Sequence, residues 1–280
     1  MIEQNNRYKK ILALYTLCLV GWAGWLFVTQ SLLFQVQPDF LFNRLDLTLN
    51  LILSTGLHSW VLEHPSVLKY LDLLFLIHPL FLWVIIRWPA WTWLSIPVIL
   101  FNLTYSLMAS AYTLNSIQCW IGWFLIPVLF MFQGQHPRSF ALAGLRLSFV
   151  LIFFSAGLWK IRAGGIFDVD VMSGILITQH TSELAYRPDG HFAQFIGWLI
   201  EHPMVGYGLY SASCLLELIY GIGLFTRRWD KWLSWSLIAF ILLDLLIMRI
   251  NYTPWLAFLG IFWNPESTIN TMDSTSRSEQ

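Results

Sequence analysis

Apolar residues run almost unbroken for about 20 positions at a time along most of this chain, without the alternation of a half-buried strand. A window of that length picks out stretches near 11–34, 66–86, 92–113, 117–133, 142–160, 204–225, 232–249 and 254–264. A hydrocarbon layer about 30 Å thick needs about 20 helical residues to cross it. The pattern therefore predicts an all-α polytopic membrane protein with about eight transmembrane helices, the last of them short. Continuous rather than alternating runs exclude a transmembrane barrel.

The basic residues between the runs set the predicted orientation. Arg7, Lys9 and Lys10 precede the first run, Arg87 follows the second, Arg138 and Arg146 flank the entry to the fifth, and Arg227, Arg228 and Lys231 follow the sixth. In an eight-span arrangement all of them fall on one side, which the excess of Lys and Arg makes cytoplasmic. Both termini are then cytoplasmic, as expected for a multi-pass protein of a bacterial inner membrane. The long loops 35–65 and 161–203 face outward. The polar tail 265–280 is expected to be disordered.

A repeat is visible inside the pattern. WVLEHPSV (60–67) returns as WLIEHPMV (198–205), 138 residues later, and each copy opens an apolar run that ends in a basic, aromatic turn. Four predicted spans lie in each period, so both copies point the same way. That predicts two parallel four-helix repeats, about 11–133 and 142–264, within a single domain of residues 1–264. Short alternations, LDLTLNL (45–51) and FDVDV (167–171), fit strands across the outer mouth; Leu41, Leu45, Leu49 and Ile52 fit an interfacial helix equally well.

Composition sharpens the class. The chain is 57% hydrophobic and 11% charged, against roughly 25% charged in soluble domains. Its net charge of zero offers nothing to a nucleic acid. Cys18, Cys119 and Cys214 all lie within apolar runs and read as small core residues. The first run is too long for the apolar region of a cleavable signal, and no cleavage site follows it.

Few side chains are left to carry chemistry. Lys160 and Arg162 end the fifth run on the side disfavoured for cations. Either their stems snorkel to headgroups, or Lys160 is a partly desolvated amine able to act as a base. Asp72, Glu217 and Asp244 lie inside runs, with Arg249 at the end of the seventh. A carboxylate there needs a cavity or a partner, since hydrocarbon supplies neither water nor counter-charge. His78 precedes Pro79 inside the second run and suits helix packing or a ligand. His64 and His202 belong to the repeated EHP, in which Pro65 and Pro203 are placed as first helical residues. No His or Cys pair has the spacing of a metal site.

FFSAGLWKI (153–161) resembles the Tyr-Phe-x-Ala-Gly-x-x-Lys-Leu motif of the vitamin K-dependent γ-carboxylase family and its bacterial relatives, the horizontally transferred transmembrane (HTTM) domain proteins. Phe154, Ala156, Gly157 and Lys160 match it directly. The resemblance implies that Lys160 is the base that deprotonates a vitamin K-like quinol. LLELIYGIGLF (215–225) resembles the family's later acidic span, which puts Glu217 at the acidic position. PDFLF (38–42) and HPSVLKYL (64–71) fall where relatives carry an aromatic outer loop and a Pro-started helix. The resemblance covers about 35–263 and is best from 150 to 225. AGGIFDV (163–169) replaces the Trp usual after the lysine, and no histidine follows His202. Nothing in these 280 residues corresponds to the carboxylase's large lumenal domain, so glutamate carboxylation is not expected.

The sequence thus points to Lys160 and Glu217 as the candidate catalytic pair. Candidate substrate-binding residues are His78, Asp244, Arg249, Arg162 and His202, with no metal. A membrane quinol is the expected cofactor or substrate, and the lipid bilayer the expected surroundings. The rival expectation is a non-catalytic membrane subunit that assists maturation, export or assembly of a partner protein.

Overall fold

The computed structural model describes residues 2–36, 50, 53–112 and 117–262. Almost all of the 45–51 alternation, the PDFLF stretch and the tail from 265 onward lie outside the described residues. Within them the protein is helical, with no strand. Among the described residues six helices are long and apolar enough to cross a membrane: Asn6–Val28, Pro65–Arg87, Pro89–Tyr112, His136–Arg162, Pro203–Leu224 and Asp230–Met248. The protein is therefore a multi-pass membrane protein. The remaining two apolar runs form shorter helices, Ile121–Met131 and Thr253–Phe262. Pro127 removes a donor from the former, which continues as a 3-10 helix from Ile126 to Met131.

Residues 146–250 form one compact unit, and the described residues before and after them form another. In the latter unit the short helices meet closely: a Cβ on Gly122 would lie 2.0 Å from the carbonyl oxygen of Pro254. Only glycine permits that contact.

The first helix ends at Val28 rather than near 34. Gln30 adopts a left-handed conformation (φ 58°), and the Ser31 amide donates back to the Leu26 carbonyl at 2.7 Å. Leu32 and Leu33 are buried in protein, which is why the apolar pattern outlasts the helix. Asp72, buried on the second long helix, accepts the Phe34 amide at 3.0 Å and the Tyr105 hydroxyl at 2.5 Å. Its carboxylate fastens the turn.

Proline shapes the second long helix. Pro79 cannot donate to the carbonyl four residues earlier, that of Phe75. His78 does so instead through Nδ1, at 2.6 Å. A carbonyl only accepts, so Nδ1 carries the proton and Nε2 accepts, with Tyr15 Oη 2.8 Å away and Asn102 Nδ2 at 3.2 Å. His78 is 1% exposed and works as part of the helix repair.

The two EHP segments adopt one local geometry. Helix Leu57–Glu63 ends at His64 (φ −122°, ψ 71°) and helix His191–Glu201 ends at His202 (φ −117°, ψ 68°), with Pro65 and Pro203 opening the next helices. Each imidazole donates through Nδ1 to the carbonyl of the Trp four residues back, at 2.7 Å in one copy and 2.8 Å in the other. Each also stacks on that Trp ring, 4.8 Å between centroids in both. The motif builds a helix corner. FDVDV likewise forms no strand: the Asp168 carboxylate accepts the Asp170 amide at 3.0 Å, and a helix begins at Val171.

In the 146–250 unit, Arg146 is buried rather than a free surface charge. Its Nε and Nη2 donate to both oxygens of Asp230, at 2.9 and 2.5 Å, and its Nη1 and Nη2 reach the carbonyls of Gly223 and Thr226 at 2.8 and 3.0 Å. Breaking such a buried pair from one side strands the other charge and costs about 3–5 kcal/mol. Asp230→Leu is thus expected to lower the midpoint of thermal unfolding in detergent sharply. An unchanged midpoint would show that the pair holds nothing together.

Candidate functional site

A cavity of about 230 Å³ lies within the 146–250 unit. Most of its wall is apolar, including Met172, Ile175, Leu209, Leu216, Phe240 and Met248. Lys160, Ser213 and Asp244 supply its charged and hydroxyl groups, with Tyr210 beside them.

Lys160 comes from the last turn of helix His136–Arg162. Its Nζ donates to Ser213 Oγ and to Glu217 Oε1, at 2.9 Å each, and lies 5.6 Å from the centre of the Tyr210 ring. Tyr210, Ser213 and Glu217 share one face of helix Pro203–Ile219 because they are three and four residues apart. The lysine therefore turns toward a partner helix. Its side chain keeps 25% exposure, whereas that of Glu217 keeps 5%. Two of the three ammonium donors are used, and Lys160 stands on the cavity wall with Glu217 behind it. The second carboxylate oxygen of Glu217 is buried without a hydrogen bond.

The close approach of the two helices depends on a glycine. A Cβ at Gly157 would come within 3.0 Å of the Leu218 side chain, and Cys214 Sγ lies 3.6 Å from the Gly157 carbonyl. Gly157 belongs to the motif that ends in Lys160, so its spacing to the lysine places the amine opposite Glu217.

Asp244 starts a π-helical turn, Asp244–Met248, that ends the sixth long helix. Such turns are rare and frequent at functional sites. The half-buried Asp244 lines the cavity and is near enough to Lys160 and Glu217 to interact with them electrostatically, yet its carboxylate makes no hydrogen bond to the described residues. With all three groups ionised, the cluster would carry one uncompensated negative charge.

Other side chains hold the end of that turn. Arg249 sits in the left-handed region (φ 52°), with Cζ 3.7 Å from the centre of the Phe192 ring and Nη1 3.3 Å from Glu183 Oε2. His180 Nε2 donates to the Ile247 carbonyl at 2.9 Å, and Gln179 reaches the Met248 carbonyl at 3.5 Å. Helix ends leave carbonyls without internal donors, and here Gln179, the last residue of helix Val171–Gln179, and His180 after it provide the missing ones.

Of the seven site residues suggested by the sequence, the structure gathers Lys160, Glu217 and Asp244. Arg249 serves the clamp just described, Arg162 stacks its guanidinium over Trp159 at 5.3 Å, and His202 caps its helix corner. His78 belongs to the other unit and is occupied there by Phe75, Tyr15 and Asn102. Sequence reasoning missed Ser213 and Tyr210, although their helical spacing from Glu217 marks them as sharing its face. It also missed Met172 and Ile175, for which the local pattern holds no signal. No group of three or more potential metal ligands occurs among the described residues.

The group at the cavity can do two things. An amine holding its lone pair accepts a proton from a bound hydroxyl, and the resulting ammonium, with Ser213, steadies an oxyanion. Glu217 can hold the pair's proton while the amine is neutral. No protein-family model matches this chain, and neither a curated protein nor a solved structure is significantly similar to it.

The clamp has a pH dependence of its own. Burial pushes the His180 pKa below its usual value, and the Arg249 charge adds to this; the Ile247 carbonyl and Glu183 work the other way. A lowered folded pKa means that the unfolded chain binds the proton first. The stability is then fully present above about pH 6.5 and is lost as pH falls toward and through the lowered value. His180→Gln should flatten the fall in unfolding temperature between about pH 7 and 5. An equally steep fall in that variant would assign it to other groups.

Proposed function

We propose that this protein is an HTTM-like membrane protein that binds a lipid-soluble, hydroxylated ring of the quinol class, with Lys160 as the general base. In this reading the chain crosses the membrane at each of its eight apolar runs, the two that hold only short helices crossing with the chain beside them, as two parallel four-helix repeats, and the cavity lies toward the outer face of a bacterial inner membrane. The observation that carries it is Lys160 Nζ on the wall of an apolar cavity with Glu217 2.9 Å behind it. An apolar cavity of about 150 Å³ in another protein accommodates benzene, so about 230 Å³ leaves room for a substituted ring.

The proton step follows from the pair. With the shared proton on Glu217, Lys160 offers a lone pair to the ring hydroxyl. The O–H bond breaks, an N–H bond forms, and the ring oxyanion stays beside the new ammonium and the Ser213 hydroxyl. Deprotonated quinols lose electrons to oxygen faster than neutral ones, so oxygen uptake reports the anion. Purified protein should speed oxygen uptake by a naphthohydroquinone, with the rate rising as pH rises. Lys160→Arg and Lys160→Ala should both abolish the effect while still inserting and folding, since arginine cannot release its proton near neutral pH.

Full activity in the arginine variant would make Lys160 an anchor. It would favour the second reading, a non-catalytic subunit that assists maturation, export or assembly of a partner protein. That reading also has an observation behind it: the Lys160–Glu217 pair ties two helices together whether or not the cavity is filled. The orientation has a separate test. Cysteines introduced at Ser54 and Ser182 should react with an impermeant reagent in intact cells; reaction only after permeabilisation would reverse the topology.

A further inference from the structure

We infer that Asp244 sets the specificity of the cavity, accepting a hydrogen bond from a second hydroxyl on the ring. This rests on the quinol reading of the same site and adds a requirement to it. Lys160 and Ser213 already bond to one another and, through Lys160, to Glu217. Together they can serve one ligand oxygen. Asp244 is different: it lines the same cavity from another helix, is half-buried, and has no hydrogen bond to the described residues. An ionised carboxylate is acceptor-only, and leaving it in apolar surroundings without a donor is costly.

Among the described residues no neighbour supplies that donor. Leu243, Ile247 and Met248 flank Asp244 on the cavity wall, and the nearby backbone is held from the far side by His180 and Gln179. The π turn presents the carboxylate to the cavity without giving it a protein partner. The missing donor therefore comes from the occupant. A ring with a single hydroxyl satisfies Lys160 and leaves Asp244 facing carbon. A ring with two hydroxyls satisfies both, and it still donates to Asp244 after Lys160 has taken the first proton.

Anaerobic calorimetric titration of the purified full chain with 1,4-naphthohydroquinone and with 1-naphthol, which lacks the second hydroxyl, tests this. The protein is expected to bind the diol about tenfold or more tightly. Asp244→Leu, similar in size and without an acceptor, should remove the preference, bringing the ratio of the two affinities to about one. Asp244→Asn retains a carbonyl acceptor and should keep most of it. Equal affinity for both ligands in the unaltered protein, or an undiminished preference in Asp244→Leu, overturns the assignment and leaves the quinol reading standing. Failure of both ligands to bind the unaltered protein overturns that reading and this one together. A preference that persists in Lys160→Ala supports Asp244 independently of the base.

Discussion

A charge carried into hydrocarbon has to bring its partner with it, because nothing in the bilayer core can solvate it. Two such pairs organise the 146–250 unit, and they differ in how completely they are satisfied. Arg146 spends its donors on both oxygens of Asp230 and on two carbonyls. That is a lock. Lys160 has one carboxylate oxygen and one hydroxyl, keeps a donor in reserve, and stands at the edge of a cavity. Among the described residues Glu217 retains a buried oxygen without a bond, and Asp244 lines the cavity nearby with none. Incomplete satisfaction is what distinguishes a candidate site from a strut.

The same constraint acts on the backbone. Each proline within or beside a long helix removes a donor, and a histidine often compensates. His78 takes the Phe75 carbonyl that Pro79 cannot reach; His64 and His202 cap the turns before Pro65 and Pro203. At the π turn the helper is His180, which reaches the Ile247 carbonyl from between two other helices. Four of the chain's seven histidines are thus occupied by carbonyls. Two of them, His180 and His202, belong to the unit that carries Lys160 and Asp244.

These differences explain what the sequence disclosed. Helix starts at Pro65 and Pro203 were legible because they depend on residues within one turn. Glu217 and Asp244 stood out because charges are rare in apolar runs, and the motif around Gly157 and Lys160 pointed to the amine. Arg146 was misleading: it reads as an orientation-setting surface charge, yet its partner is 84 residues away and both are buried. The end of the first helix was misplaced for a related reason. Leu32 and Leu33 are apolar because protein covers them, and hydropathy does not separate burial in protein from burial in lipid. Long-range pairing leaves no local period to read.

The central claim is that the cavity beside Lys160 exists to hold a hydroxylated, lipid-soluble ring. Native mass spectrometry of the protein released gently from its own membranes addresses it directly. The expected result is a bound species with the mass of an aromatic diol, lost on collisional activation and recovered in smaller amount from Lys160→Ala. Recovery of the protein with phospholipid alone, equally in both forms, would contradict the claim.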